Sequence, residues 1–258
     1  MTLKLYVFSL LALVLYMSVW FAVARYRKRL DTVDVAWGGA FVVTALLVAI
    51  AEPTARTLMI AVLVSIWGIR LMTHIARRAR KKGEDDPRYV EIAAKWKGNY
   101  WLRAFFSIFM TQAVLASLVG LPIIFAAGMV LPDNRWLFTA GYFVWVIGFF
   151  YEYYADKQLA QFISDPHNKG KLLDSGLWRY SRHPNYFGEL LQWWGIGLIA
   201  LQTSWGWIGL AGPLLLSILI RYVSGVPPIE RRRAKDPKYA GYTQRTSAII
   251  PWFVDEPS

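Results

Sequence analysis

LKLYVFSLLALVLYMSVWFAVARYRKR, residues 3–29, decides what kind of protein this is. Residues 3–24 carry one charge, Lys4, in a run long enough to cross a bilayer core, which takes about 20 mostly apolar residues. The run ends on Arg25, Arg27, Lys28 and Arg29. It has some features of a cleaved leader, with Lys4 ahead of it and Ala22-Val23-Ala24 at its end, but the length and the basic residues that follow suit a retained first helix. Working outward, similar apolar runs recur at about 33–51, 57–75, 104–130, 136–155, 187–202 and 206–223. The expected fold is therefore an all-α integral membrane bundle of seven transmembrane helices in one domain. Of the 258 residues 56% are hydrophobic and only 18% charged, where a soluble domain carries about 25%. A soluble globular domain, a disordered chain and a collagen-like repeat are excluded.

The net charge of +12 does not point to nucleic acid, because its distribution follows membrane topology. Twenty-five of the 29 Lys and Arg residues lie in 25–29, 77–103, 156–184 and the tail from Arg221; the intervening loops hold only Lys4, Arg56 and Arg135. Basic loops stay cytoplasmic, so the N-terminus is expected outside and the C-terminus in the cytoplasm, in the inner membrane if the source is bacterial. The loop 76–103 and the tail 224–258 exceed what a connection needs, and the tail is expected to fold over a site at the cytosolic mouth. With no cysteine and only His74, His167 and His183, no metal centre is expected.

Ionisable residues near helix interiors mark candidate function. They are Asp34, Arg70, His74, Glu152, Glu189 and Arg221. Arg70 and His74 share a helix face, and Asp34 is a possible partner for them. The strongest local signal is Gly176-Leu-Trp-Arg-Tyr-Ser-Arg-His-Pro-Asn-Tyr-Phe-Gly-Glu189. Pro184 suits a helix start. Asn185, Glu189 and Gln192 then form one polar stripe, while Arg179, Arg182 and His183 precede the helix N-terminus, where donors and dipole favour an anionic phosphate. Glu152 and Asp156 form a second acidic pair one turn apart.

At Arg182-His-Pro-Asn-Tyr-Phe-Gly-Glu189 the chain resembles the steroid 5-alpha-reductase-like membrane family, and more closely a bacterial branch marked by Asp-Val-Ala-Trp (34–37), Arg-Leu-x-x-His (70–74) and Gly-Glu-Asp-Asp-Pro-Arg-Tyr (83–89). Tyr239, Tyr242 and Arg245-Thr-Ser-Ala-Ile-Ile-Pro251 fit as well. The resemblance implies NADPH bound at the cytosolic side and reduction of a carbon–carbon double bond conjugated to a ketone, often in a steroid. It implies cofactor contacts from Asn185, Glu189 and Asp156, with Lys171 or Arg179 as the basic residue before the box. Arg182, His183, Tyr186, Arg221, Glu230 and Tyr242 complete the cofactor set. Glu152 stands where the family has Asn. On the substrate side the family's Gln-Glu pair and Tyr are absent; by position Asp34 and His74 take their places, with Trp37, Arg70 and Arg77 beside them. His74 is then the expected proton donor, with Asp34 orienting it, and Glu189 joins them as a catalytic group. Isoprenylcysteine carboxyl methyltransferases carry a similar box, so a membrane methyltransferase using S-adenosylmethionine on a lipid or isoprenoid is the alternative. The substrate is expected to be a lipophilic small molecule from the surrounding membrane lipid. Oligomeric state stays open.

Overall fold

The computed structural model describes residues 2–131 and 135–253; the end of the tail, 254–258, lies outside them. Among the described residues, regular structure is helical except for two isolated bridge pairs, Val130–Thr203 and Ser181–Ser247. Among the described residues, five stretches are long and apolar enough to cross a membrane: Thr2–Arg27, Thr32–Ala51, Ala55–Lys82, Tyr100–Val119 and Gly206–Arg233. The chain divides into two compact units.

The first unit comprises Met1–Phe138 and Ile199–Gly212. It opens with α1 (Thr2–Arg27), α2 (Thr32–Ala51) and α3 (Ala55–Lys82). Helix α1 turns Ser9, Leu13, Met17 and Ala24 inward and leaves Phe8, Leu11 and Leu15 59–68% exposed. An outward stripe of large apolar side chains is unfavourable in water and natural in hydrocarbon. Helices α2 and α3 meet at Gly38 and Gly68, where a Cβ on either would lie 2.6 or 2.7 Å from the other's carbonyl oxygen. Small residues at such a crossing let two backbones touch, the usual route to helix association in lipid. Helix α3 runs past the expected residue 75 to Lys82, because Arg77, Arg78, Arg80, Lys81 and Lys82 face water and complement the C-terminal end of its dipole. Gly83, at φ 74°, ends it.

The fourth apolar segment is not one helix. After α4 (Pro87–Ala93), it is built from α5 (Tyr100–Ala104), a π-helical stretch (Phe105–Met110), α6 (Thr111–Val119) and α7 (Leu121–Phe125). Thr111 Oγ1 donates to the Phe106 carbonyl at 3.2 Å, satisfying an acceptor loosened by the wider π turn. The break after Val119 falls at Gly120 and Pro122, whose missing N–H interrupts the ladder. Carbonyls beyond α7 are taken by Arg56, which is buried and donates to Ala126 O at 2.5 Å and Gly128 O at 2.9 Å. The loop around Val130 is tied to 202–204 by Leu131 N to Gln202 O at 2.8 Å; α11 (Gly206–Gly209) follows.

The second unit comprises Thr139–Leu198 and Pro213–Ser258. It holds most of α8 (Arg135–Ser164), then α9 (Leu177–Tyr180), most of α10 (Pro184–Ala200) and of α12 (Ala211–Ile218), a second π stretch (Leu219–Val223), α13 (Val226–Arg233) and α14 (Pro237–Arg245). Helix α8 extends nine residues beyond the expected 155. Its seam with α10 is set by glycines seven apart on both helices. A Cβ on Gly148 would lie 2.6 Å from Gly188 O, and one on Gly195 2.6 Å from Gly141 O. The tail is two short helices, each started by proline in its first turn, where the lost N–H has no helical partner anyway.

Candidate functional site

The close approach of Gly148 and Gly188 dictates what lies beyond it along α8 and α10. Reaching back over Gly188, Gln192 Nε2 donates to Glu152 Oε2 at 2.6 Å, both side chains being buried. At the opening of α10, Asn185 Nδ2 donates to Asp156 Oδ1 at 3.3 Å. The polar stripe of α10 thus meets the acidic pair of α8. Asn185 Oδ1 and Gln192 Oε1 are buried without a hydrogen-bond partner. Buried acceptors of this kind are uncommon and call for a donor. Glu189, on the same stretch of α10, is half-buried.

The segment leading into α10 is held from two sides. Gln158 of α8 accepts from Leu177 N at 3.0 Å, beneath Gly176 at φ 60°, where a Cβ would strike the Gln158 amide. Trp178 Nε1 donates to Ala155 O at 3.2 Å. From the other side comes the tail. Arg182 gives Nε to Glu230 at 2.8 Å and Nη2 to the same carboxylate at 2.7 Å, while Nη1 reaches the carbonyls of Thr243 and Thr246. Arg182 N donates to Ser247 O at 2.9 Å, and Ser181 Oγ to Ile249 O at 2.7 Å. The Tyr242 hydroxyl, buried, donates to the backbone carbonyls of Trp178 and Ser181. Burial first, then the neighbouring Tyr239, raises its pKa above the usual phenol value. Arg182, Glu230 and Tyr242 therefore bind the tail to the box.

His183 is buried, 3.6 Å from Glu230 Oε1, and stacks on Tyr186 with centroids 5.5 Å apart. Burial lowers its pKa to about 4, against the opposing pull of Glu230, so the ring is neutral at pH 7. Lys171, Arg179 and Arg221 are exposed; the Arg221 guanidinium lies 5.1 Å from the centre of the Tyr222 ring.

In the first unit, the Asp34 carboxylate accepts from Arg88 Nη2 at 2.6 Å and from the Tyr89 hydroxyl at 2.5 Å. Two of the sequence motifs are thereby joined. The segment Gly83–Tyr89 straps across the start of α2, where Asp85 also accepts from Leu30 N at 2.9 Å and Asp31 N at 2.8 Å. Asp85 serves a helix start whose N-cap residue, Asp31, makes no capping bond of its own. Burial, then the charge of Asp34, push the Tyr89 hydroxyl well above the usual phenol range. Burial lowers the Arg88 pKa, but Asp34, Tyr89 and Asp86 together more than offset this and the net shift is upward. Arg70 and His74 lie one turn apart on α3, both half-buried, and Arg77 is exposed. Trp37 packs edge-on against Phe41 at 5.0 Å. Sequence reasoning assigned no role to Arg88 or Tyr89. Their signal was an Arg-Tyr pair following Asp-Asp-Pro, a cation and a donor in a loop opposite an acid at a helix start.

Comparison with known proteins places these features in a wider group. Residues 20–246 match the family described as protein of unknown function DUF1295. A stretch of 74 residues, 29% of this chain, is 32% identical to a steroid 5-alpha-reductase, DET2, of Gossypium hirsutum. That stretch spans about a quarter of the relative's own length, 27%. No solved structure matches.

Proposed function

This chain belongs to the DUF1295 family, within the steroid 5-alpha-reductase-like proteins, and from that premise we propose that it is a membrane reductase using NADPH to reduce the carbon–carbon double bond of an enone in a steroid-like or other lipophilic substrate. The observation that carries the reading is the Asn185–Asp156 pair with its buried, partnerless Asn185 Oδ1. A primary carboxamide such as that of nicotinamide brings the N–H donor this acceptor lacks, so the residues fit the group. Asn185 and Glu189 are assigned to orienting the nicotinamide end, with Asp156 behind Asn185. His183 and Tyr186 flank them as a neutral stacked pair. Lys171 and Arg179 are assigned to the phosphates, with Arg221. Arg182, Glu230 and Tyr242 act by holding the tail, whose role is to close over the cofactor.

When bound, NADPH supplies the hydride; the protein supplies position and electrostatics. Negative charge develops on the ketone oxygen during such a reduction, and a donor placed there lowers the barrier. We assign that donor to His74, with Asp34 as the acid of the substrate side and Trp37, Arg70 and Arg77 as substrate contacts. The bond from Tyr89 to Asp34 makes Tyr89 a positioning residue for that acid. The fold we assign has seven spans: the five named above with α8 and α10. The N-terminus is outside and the C-terminus cytoplasmic, as the Lys and Arg distribution supports.

Purified protein titrated with NADPH, NADH and S-adenosylmethionine tests the reading. NADPH should bind, and Asn185→Ala should weaken it at least tenfold. Saturable binding of S-adenosylmethionine without NADPH would replace the reductase with a methyltransferase. Turnover is then sought with a panel of steroid, isoprenoid and fatty enones.

A further inference from the structure

A cavity of about 340 Å³ lies among α1, α2 and α3, lined by Trp20, Val23, Val35 and Ala76 and by the arginines of the helix ends. That volume is in the range of small-ligand pockets. Asp31, the acid in its lining, is neutralised within the wall, since Arg29 donates to it at 3.0 and 2.5 Å. Arg29 also reaches Ala79 O at 3.2 Å and Glu84 O at 2.8 Å, which fixes it in place. Arg27 and Arg80, which also line the cavity, make no ion pair or hydrogen bond among the described residues. The cavity therefore combines two uncommitted cations and apolar wall in one lining.

It lies on a different face of α3 from His74. Successive helix residues turn by about 100°, so Ala76 and Arg80, which line the cavity, project from α3 roughly 200–240° around from His74.

We propose that this cavity holds the phosphate head of an anionic amphiphile, with Arg27 and Arg80 on the phosphate and the hydrocarbon against Trp20 and Val35. Two observations select that class. Uncommitted guanidinium groups favour a phosphate, which they bind by paired N–H donors. The aromatic and aliphatic walls have nothing to offer a fully hydrated small anion, whose dehydration they would not offset. The chemistry is met by a membrane phospholipid or by any phosphate-headed lipid, and it does not depend on the reductase reading.

Native mass spectrometry of the full chain in detergent tests it, with phosphatidylglycerol, phosphatidylcholine of the same acyl chains, and inorganic phosphate as probes. Phosphatidylglycerol should bind at least tenfold more tightly than phosphatidylcholine, and inorganic phosphate should not displace it at equal concentration. Arg27→Gln with Arg80→Gln should weaken phosphatidylglycerol about thirtyfold, as expected for two cations at a membrane surface, and Arg27→Lys with Arg80→Lys, which keeps the charges but not the paired donors, should restore only part of the binding. Val35→Trp keeps both charges and takes up part of the space where the hydrocarbon packs; it should weaken phosphatidylglycerol and narrow its preference over phosphatidylcholine. Equal binding of the two lipids, displacement by free phosphate, or full binding by Val35→Trp would each overturn the proposal. The last would reduce it to surface electrostatics.

Discussion

Replacing Gly148 by alanine tests the link between helix packing and the candidate cofactor site. The added Cβ would sit 2.6 Å from Gly188 O and 2.8 Å from Gln192 N, both backbone atoms of α10 that cannot rotate away. Ordinary contact begins at 3.4 Å, so α8 and α10 must separate by about 0.8 Å at this point. The Asn185–Asp156 bond, already 3.3 Å long, does not survive such a shift, whereas Gln192–Glu152 at 2.6 Å stretches without breaking. Overpacking of this kind costs about 1–3 kcal/mol in stability. Losing a hydrogen bond to a charged group costs about 1.5–3 kcal/mol, so NADPH affinity should fall by roughly 10- to 150-fold. Isothermal titration in detergent, paired with a thermal melt, reads both quantities. Glycine to alanine at Gly241, where nothing lies within 4 Å of the added carbon, is the control. Wild-type affinity in Gly148→Ala would refute the claim that the glycine seam positions Asn185 against Asp156.

Three further outcomes follow from the same structure. His183 has its pKa lowered to about 4 by burial, so the unfolded chain, near 6.5, binds its proton more tightly; the stability His183 contributes is complete above about pH 6.5 and drains away as pH falls toward 4, by about 3 kcal/mol. Thermal melts of wild type and His183→Gln between pH 4 and 7.5 should converge at the acidic end. Arg182→Ala strands Glu230 and the carbonyls of Thr243 and Thr246, costing about 3 kcal/mol locally, and should raise the rate of proteolysis within 224–253 at least tenfold. Tyr89→Phe removes the hydroxyl from Asp34; the expected loss is about 1–3 kcal/mol, read as faster hydrogen exchange across 83–103 with α8 and α10 unaffected.

Much of this protein was legible before folding. Apolar run length pointed to the five stretches long enough to cross a membrane, because a bilayer sets the length of what crosses it. The stripe of Asn185, Glu189 and Gln192 was legible because 3.6-residue periodicity puts those positions on one face. Boundaries failed where local chemistry competes with hydropathy. Helix α3 runs on through Lys82 because charged residues continue a helix in water as readily as apolar ones in lipid, and the 104–130 run breaks because Gly120 and Pro122 outweigh its apolar character.

The amino-acid order alone determined the membrane class, the family and the identity of the polar box, since these depend on composition, spacing and local periodicity. Tertiary structure decided which side chains meet. Asp34 is held by Arg88 and Tyr89, 54 and 55 residues away. Arg182 is committed to the tail, although its place before a helix N-terminus marked it for phosphate. Periodicity fixes the face a residue points from, but the residue it meets depends on the register of the neighbouring element. Here that register is set by backbone contact at Gly38–Gly68 and Gly148–Gly188, where one missing side chain lets two helices touch.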